Sequence, residues 1–138
     1  MRTVLITGAS GGLAQEIVKL LPDDQLILLG RDKEKLAQLY GNHPQAELVV
    51  MDITDAQALE DLVAELYQRY GKIDVLINNA GYGIFEDFDK ISNQDIRQMF
   101  EVNTFALMNL SRLVGTLMKE TRKGHIINIV SMAGLIAT

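Results

Sequence analysis

The chain has no cysteine, which excludes a disulfide framework and a thiolate metal site. It also lacks an excess of positive charge: 13 Lys and Arg stand against 18 Asp and Glu, for a net charge of −5. A nucleic-acid or anionic-membrane surface needs clustered Lys and Arg, so neither partner is expected. No apolar run approaches the roughly 18 residues of a membrane span. Near the N-terminus Gly8 interrupts the run Val4-Leu5-Ile6, so the long h-region of a signal peptide is missing. A cytoplasmic location is the resulting expectation. His43 and His125 have no second ligand at metal spacing, so no metal is expected either. No repeat, low-complexity tract or linker divides the sequence, and 138 residues suit one domain over 1–138. A chain of this length can bury about 68–70% of its unfolded surface, enough for a real core.

What is present is an alternation of apolar strands and amphipathic helices. Residues 3–7 read as a strand and 12–21 as a helix with Leu13, Ile17, Leu20 and Leu21 on one side. Pro22-Asp23-Asp24 is a turn, and a second strand over 25–29 ends at Gly30. A helix over about 32–40 closes at Gly41, and a third strand spans 47–51. Thr54 and Gln57 have capping-box spacing. The helix after them carries Leu59, Leu62, Val63, Leu66, Tyr67 and Tyr70 on a 3.6-residue period and stops at Gly71. A fourth strand covers 73–77. Ser92 caps a long helix to about Lys119 with Ile96, Met99, Phe100, Leu107, Leu110, Val114 and Leu117 as its apolar positions. A fifth strand covers 125–130. The strands are continuous apolar runs, which marks a parallel sheet covered on both faces. Alternation with right-handed crossovers predicts a doubly wound, Rossmann-like α/β fold of about five strands.

In such a sheet the ligand lies beyond the carboxyl ends of the strands. The first strand ends in Thr7-Gly8-Ala9-Ser10-Gly11-Gly12-Leu13-Ala14, a glycine-rich turn opening a helix. It brings backbone N–H groups and a positive helix terminus to one point, where a pyrophosphate can sit. After the second strand stand Gly30-Arg31-Asp32, after the third Asp52-Ile53, and after the fourth Asn78-Asn79-Ala80-Gly81. Ser131 ends the fifth, and Asn103 lies within the long helix. Each has a plainer reading beside the functional one. Asp52 can be a cap or turn residue, Asn78 to Gly81 an ordinary turn, and Asn103 a helix-face amide. Ser131 can be a strand-terminal serine in a small-residue turn. Tyr82 and Phe85 suit either the cleft lining or packing against the long helix.

In order and spacing these sets resemble the short-chain dehydrogenase/reductase family. That family's pattern is Thr-Gly-x-x-x-Gly-x-Gly, an Asp after the third strand, Asn-Asn-Ala-Gly after the fourth, an Asn in the fourth helix and a Ser after the fifth strand. The resemblance covers the whole chain and departs at Ala14, which replaces the last glycine of the loop. Alanine is tolerated there because the position serves helix–strand packing. The resemblance implies that Gly8, Ala9, Ser10, Gly11, Gly12 and Leu13 hold the pyrophosphate and adenosine ribose. It implies that Asp52 bonds the adenine amino group with Ile53 beside it, and that Asn79, Ala80 and Gly81 contact the ribose and floor the cleft. Ser131 would bond the substrate oxygen, and Asn103 would order a water in a proton relay.

The cofactor can be argued physically. A carboxylate ending the second strand selects NAD by binding both ribose hydroxyls and repelling a 2′-phosphate. Here that position is Gly30, followed by Arg31, whose guanidinium can grip a phosphate in a bidentate contact. Ser10 can add a hydroxyl. NADP is therefore expected over NAD, unless Arg31 merely opens a solvated, charged helix.

The family's acid–base pair is a Tyr followed four residues later by Lys, beyond the Ser. Tyr40, Tyr67, Tyr70 and Tyr82 are followed at that distance by Pro44, Gly71, Asp74 and Glu86, and the sequence ends at Thr138. The expectation is the cofactor-binding portion of an NADP-dependent oxidoreductase acting on a small carbonyl or alcohol, with a sheet incomplete at its carboxyl-terminal end and little turnover alone. The fifth strand becomes an open edge and the long helix exposes apolar side chains, so self-association or a homo-oligomer is expected. Two other readings stay open: a non-catalytic nucleotide-binding or subunit-interaction protein, and an inert truncated fragment.

Overall fold

The structure is a computed structural model that describes residues 1–83 and 86–129. Strands β1 (Thr3–Ile6), β2 (Gln25–Gly30), β3 (Ala46–Val50), β4 (Val75–Asn78) and β5 (His125–Asn128) form one sheet in the order β3-β2-β1-β4-β5. Every pairing is parallel, and β1 is central, with Leu5 opposite Ile27 on one side and Leu76 on the other. Helices α1 (Gly12–Lys19), α2 (Lys33–Tyr40), α3 (Ala56–Tyr70), α4 (Asn93–Phe100) and α5 (Leu107–Thr121) connect and cover the strands. This is the doubly wound, Rossmann-like sheet that the strand pattern predicts.

Strand side chains alternate between the faces, which divides the core in two. Leu5, Ile27, Leu29 and Leu76 pack against Leu59, Leu62, Val63 and Leu66 of α3 and Leu110, Val114 and Met118 of α5. Val4, Ile6, Leu26, Leu28, Val75 and Ile77 face the other way, onto Ala14 and Val18 of α1 and Leu36 and Tyr40 of α2. Because both faces are covered, β1, β2 and β4 bury their residues nearly throughout, whereas β5 is exposed along its length.

Several local expectations are corrected. The buried face of α1 centres on Ala14 and Val18, with Ile17 and, just past the helix, Leu21 packed partly buried beside them, whereas Leu13 and Leu20 are 52% and 78% exposed. The cap of α3 is Asp55, whose carboxylate accepts from Ala58 N–H; Thr54 does not cap, because its N–H and hydroxyl both donate to Asp52. Ser92 does cap α4, in a box with Asp95. The long helix is not uniform. Between α4 and α5 the segment Glu101–Ala106 is π-helical. Val102, Ala106 and Leu110 are buried while Ile96 and Phe100, on the other side of the rod, face outward. Among the described residues no helix is long and apolar enough to cross a membrane.

Candidate functional site

The loop after β1 is built from backbone held at several points. Thr7 continues β1 by donating its N–H to the Ile77 carbonyl at 3.1 Å. Its hydroxyl, in a residue only 2% exposed, accepts from the N–H groups of both Asn79 and Ala80 at 3.0 Å. Gly8 then turns at φ +60°, and a Cβ there would stand 2.7 Å from the Ala80 Cα. The Asn79 amide closes the contact by donating to the Gly8 carbonyl at 3.0 Å. Ala9 N–H donates to Leu29 of β2 at 2.9 Å, and Gly11 N–H returns to the Gly8 carbonyl at 3.1 Å. Gly11 caps α1 without a side chain, and the first turn of α1 holds no acidic residue. The helix therefore presents its N-terminal N–H groups and positive end to the loop with no local carboxylate to neutralise them.

A cavity of about 220 Å³ opens at the carboxyl ends of β1, β2, β3 and β4. It brings together Gly8, Ser10, Arg31, Asp52, Ile53, Ala80 and Gly81 from the predicted set. Gly30, Asp32, Met51, Tyr82 and Val102 line it as well. Ala9 serves by its backbone, since its side chain is fully buried. Gly11, Gly12 and Leu13 lie at the exposed start of α1. Ala14 is fully buried against the sheet, in the packing role that permits alanine for glycine. Ser131 and Phe85 lie outside the described residues, as does Val130 at the end of the predicted fifth strand.

The charges in the cavity are arranged by local hydrogen bonds. Asp52 accepts on one carboxylate oxygen from Thr54 N–H at 3.0 Å and Thr54 hydroxyl at 2.8 Å. Those bonds, with the Arg31 charge nearby, hold its carboxyl below the usual range, so it is ionised at neutral pH. It is a turn residue, and its second oxygen has no hydrogen-bond partner among the described residues. Asp32 is committed as the cap of α2, accepting from Lys35 N–H at 3.1 Å. Arg31 takes part in no ion pair among the described residues.

Asn103 sits in the π-helical segment, and both ends of its amide are used on one residue. Nδ2 donates to the Tyr82 carbonyl at 2.6 Å, and Oδ1 accepts from Tyr82 N–H at 2.9 Å. Its side chain thus fastens the chain leaving β4. Asn78, buried beneath, donates from Nδ2 to Ser111 of α5 at 3.0 Å and to Asn128 of β5 at 2.9 Å. Three bracing residues were not visible as such from spacing: Thr7 as a double acceptor, Asn78 as a link to α5 and β5, and Tyr40, whose phenol donates to the Ala9 carbonyl at 2.6 Å. Each acts through a contact with a residue distant in the chain.

A glycine loop opening a helix at the head of a central parallel strand, with polar groups at successive strand ends, defines a nucleotide-binding α/β protein. The close approach of Gly8 to Ala80, the uncapped start of α1 and the open oxygen of Asp52 fit a dinucleotide. A family profile described as short chain dehydrogenase matches residues 2–138. The chain belongs to that family. It is 37% identical over 139 residues to the ketoacyl reductase HetN of Nostoc sp., an alignment covering 96% of this chain and 48% of that one. It is 35% identical over 135 residues to the NADP-dependent 3-hydroxy acid dehydrogenase YdfG of Salmonella typhi, covering 95% of this chain and 54% of that one. Among solved structures it superimposes on an NAD⁺-bound xylitol dehydrogenase with a TM-score of 0.88 at 28% identity, over 99% of this chain and 55% of that one. The chain spans about half the length of the curated relatives it matches.

Proposed function

We propose that this chain forms the cofactor-binding part of an NADP-dependent oxidoreductase that moves hydride between NADPH and a small carbonyl or alcohol. The carrying observation is the wall of the cavity at the end of β2. Gly30 supplies no carboxylate there, and Arg31 shares the cavity with Ser10. A ribose 2′-phosphate placed at that wall meets a guanidinium and a hydroxyl. The neighbouring Asp32 carboxylate already caps α2. The NADP-dependent relative YdfG supports this choice; the NAD⁺-bound xylitol dehydrogenase shows that the shared fold alone does not decide it.

The bound nicotinamide ring supplies or accepts the hydride. The chain's own residues bind and orient it. The backbone around Gly8, Ala9, Ser10, Gly11, Gly12 and Leu13 holds the pyrophosphate and adenosine ribose, Asp52 accepts from the adenine amine beside Ile53, and Asn79, Ala80 and Gly81 contact the ribose and floor the cleft. Ser131 is proposed to hydrogen-bond the substrate oxygen. Asn103 is proposed to order a water in a proton relay through its backbone or side chain, from the π-helical segment, a feature common at functional sites. These 138 residues hold no Tyr followed four later by Lys, so the proton transfer is not assigned to them.

Replacing Arg31 with alanine tests the cofactor choice. In a fluorescence titration, NADPH binding is expected to weaken by about tenfold or more, and NADH binding to change little. Equal losses for both nucleotides overturn the choice of NADP.

A subunit-interaction role is favoured by a separate observation. Ile96, Phe100, Phe105 (54% exposed) and Met108 (61% exposed) project from the α4–α5 rod, and Ile126 and Ile127 of β5 are exposed as well. Large exposed apolar side chains concentrated on one element mark an interaction surface. Self-association is therefore proposed, and light scattering at micromolar concentration is expected to return a mass above the 15.3 kDa of one chain. A clean monomer overturns it.

A further inference from the structure

Ala9 and Ser10 share a peptide group whose two ends meet different surroundings. The Ala9 carbonyl accepts the Tyr40 phenol at 2.6 Å, and both residues lie in the buried cluster on the α1–α2 face of the sheet. A trans peptide is planar, so its C=O and N–H point in opposite directions. With the carbonyl fixed inward on Tyr40, the Ser10 N–H points outward, and it has no hydrogen-bond partner among the described residues. Ser10 lines the cavity together with Gly30 and Arg31.

The peptides on either side are held too. Ala9 N–H donates to Leu29 at the end of β2 at 2.9 Å. Gln15 Nε2 donates to the Ser10 carbonyl at 3.3 Å. The helix that carries Tyr40 also backs the opposite wall: a Cβ on Gly30 would meet the Leu36 side chain at 3.0 Å. Helix α2 thus braces both the loop that carries Ser10 and the strand end that carries Arg31.

We propose that Tyr40 is a positioning residue of the cofactor site, anchoring the Ala9 carbonyl so that the Ser10 N–H stands in the cavity as a fixed donor to the 2′-phosphate. The proposal rests on the NADP reading of that cavity. Burial raises the Tyr40 pKa above its ordinary value, so the phenol keeps its proton and remains a donor. A phosphate gains more from a preset N–H than a ribose hydroxyl does, because the bond is charge-assisted. Tyr40 therefore bears on the preference between the two nucleotides, beyond holding the loop in place.

The test titrates the full chain and Tyr40→Phe with NADPH and with NADH. It also follows the Ser10 amide in a nitrogen–proton correlation spectrum as adenosine 2′,5′-bisphosphate or 5′-AMP is added. Phenylalanine keeps the ring and its packing and removes only the hydroxyl. The NADPH Kd is expected to rise about tenfold and the NADH Kd less than about twofold. In the unsubstituted chain the bisphosphate shifts the Ser10 amide and 5′-AMP does not. An unchanged NADPH-to-NADH preference in the variant overturns the proposal, as does a Ser10 amide indifferent to the bisphosphate in a chain that binds NADPH. An unsubstituted chain that binds NADPH no better than NADH defeats the NADP reading itself and the proposal with it, and this outcome shows before the variant is made.

Discussion

Alanine at Gly8 is expected to abolish detectable NADPH binding and to lower the Tm by about 10 °C. Two costs combine. The φ of +60° places any L side chain in the left-handed region, at about 1–2 kcal/mol. The added Cβ also meets backbone on the facing loop: Ala80 Cα at 2.7 Å, Ala80 N at 2.9 Å and the Asn79 carbonyl carbon at 3.1 Å. None of these atoms can rotate away, so the β4 loop has to shift as a unit. That shift pulls Asn79 from the Gly8 carbonyl and both N–H groups from Thr7, which together shape the cavity floor. Nucleotide titration beside a thermal melt measures both effects, and a variant that binds NADPH like the parent contradicts this account of the loop.

Thr7→Val is expected to cost about 3 kcal/mol of stability with little change in side-chain shape. The hydroxyl is one oxygen serving two backbone donors in a residue that is almost fully buried. Valine leaves those donors unpaired, at about 1–3 kcal/mol each. Thr7→Ser keeps the acceptor and loses one methyl, for about 1 kcal/mol. Urea denaturation separates the two: the valine midpoint falls well below the serine midpoint at a similar slope. Equal midpoints for the two variants show that the hydroxyl is not the stabilising group. The same comparison repeated with NADPH present reports whether the Asn79-Ala80 floor survives, because bound nucleotide stabilises only a chain that still binds it.

The sheet was readable because its central strands are short apolar runs closed by turn residues, as at Val4-Leu5-Ile6 before Thr7 and Leu26 to Leu29 before Gly30. The ligand edge was readable because small and polar residues recur at successive strand ends, and the structure brings eight of them to one cavity. The π-helical segment was not readable: Val102, Ala106, Leu110, Val114 and Met118 recur every four residues, a spacing that looks α-helical whether or not one turn is widened. The cap of α3 was ambiguous because Thr54 and Asp55 are both good caps. Tertiary structure decided it when Asp52 engaged both donors of Thr54. The Tyr40 contact spans 31 residues, and no local pattern announces a bond of that range.

The strand order has a kinetic side. The central strand precedes the other four in the sequence, yet its two neighbours are β2 and β4, and Thr3 N–H finds the Asp74 carboxylate 71 residues later in the chain. During synthesis β1 and β2 can pair early, while the other edge of β1 stays open until β4 emerges. Closing that long loop is an entropic cost met before the pairing rewards it, which places this topology among the slower folders. Gly8 and Asn79 meet across the same β1–β4 seam, so the nucleotide site is completed late, when the sheet closes.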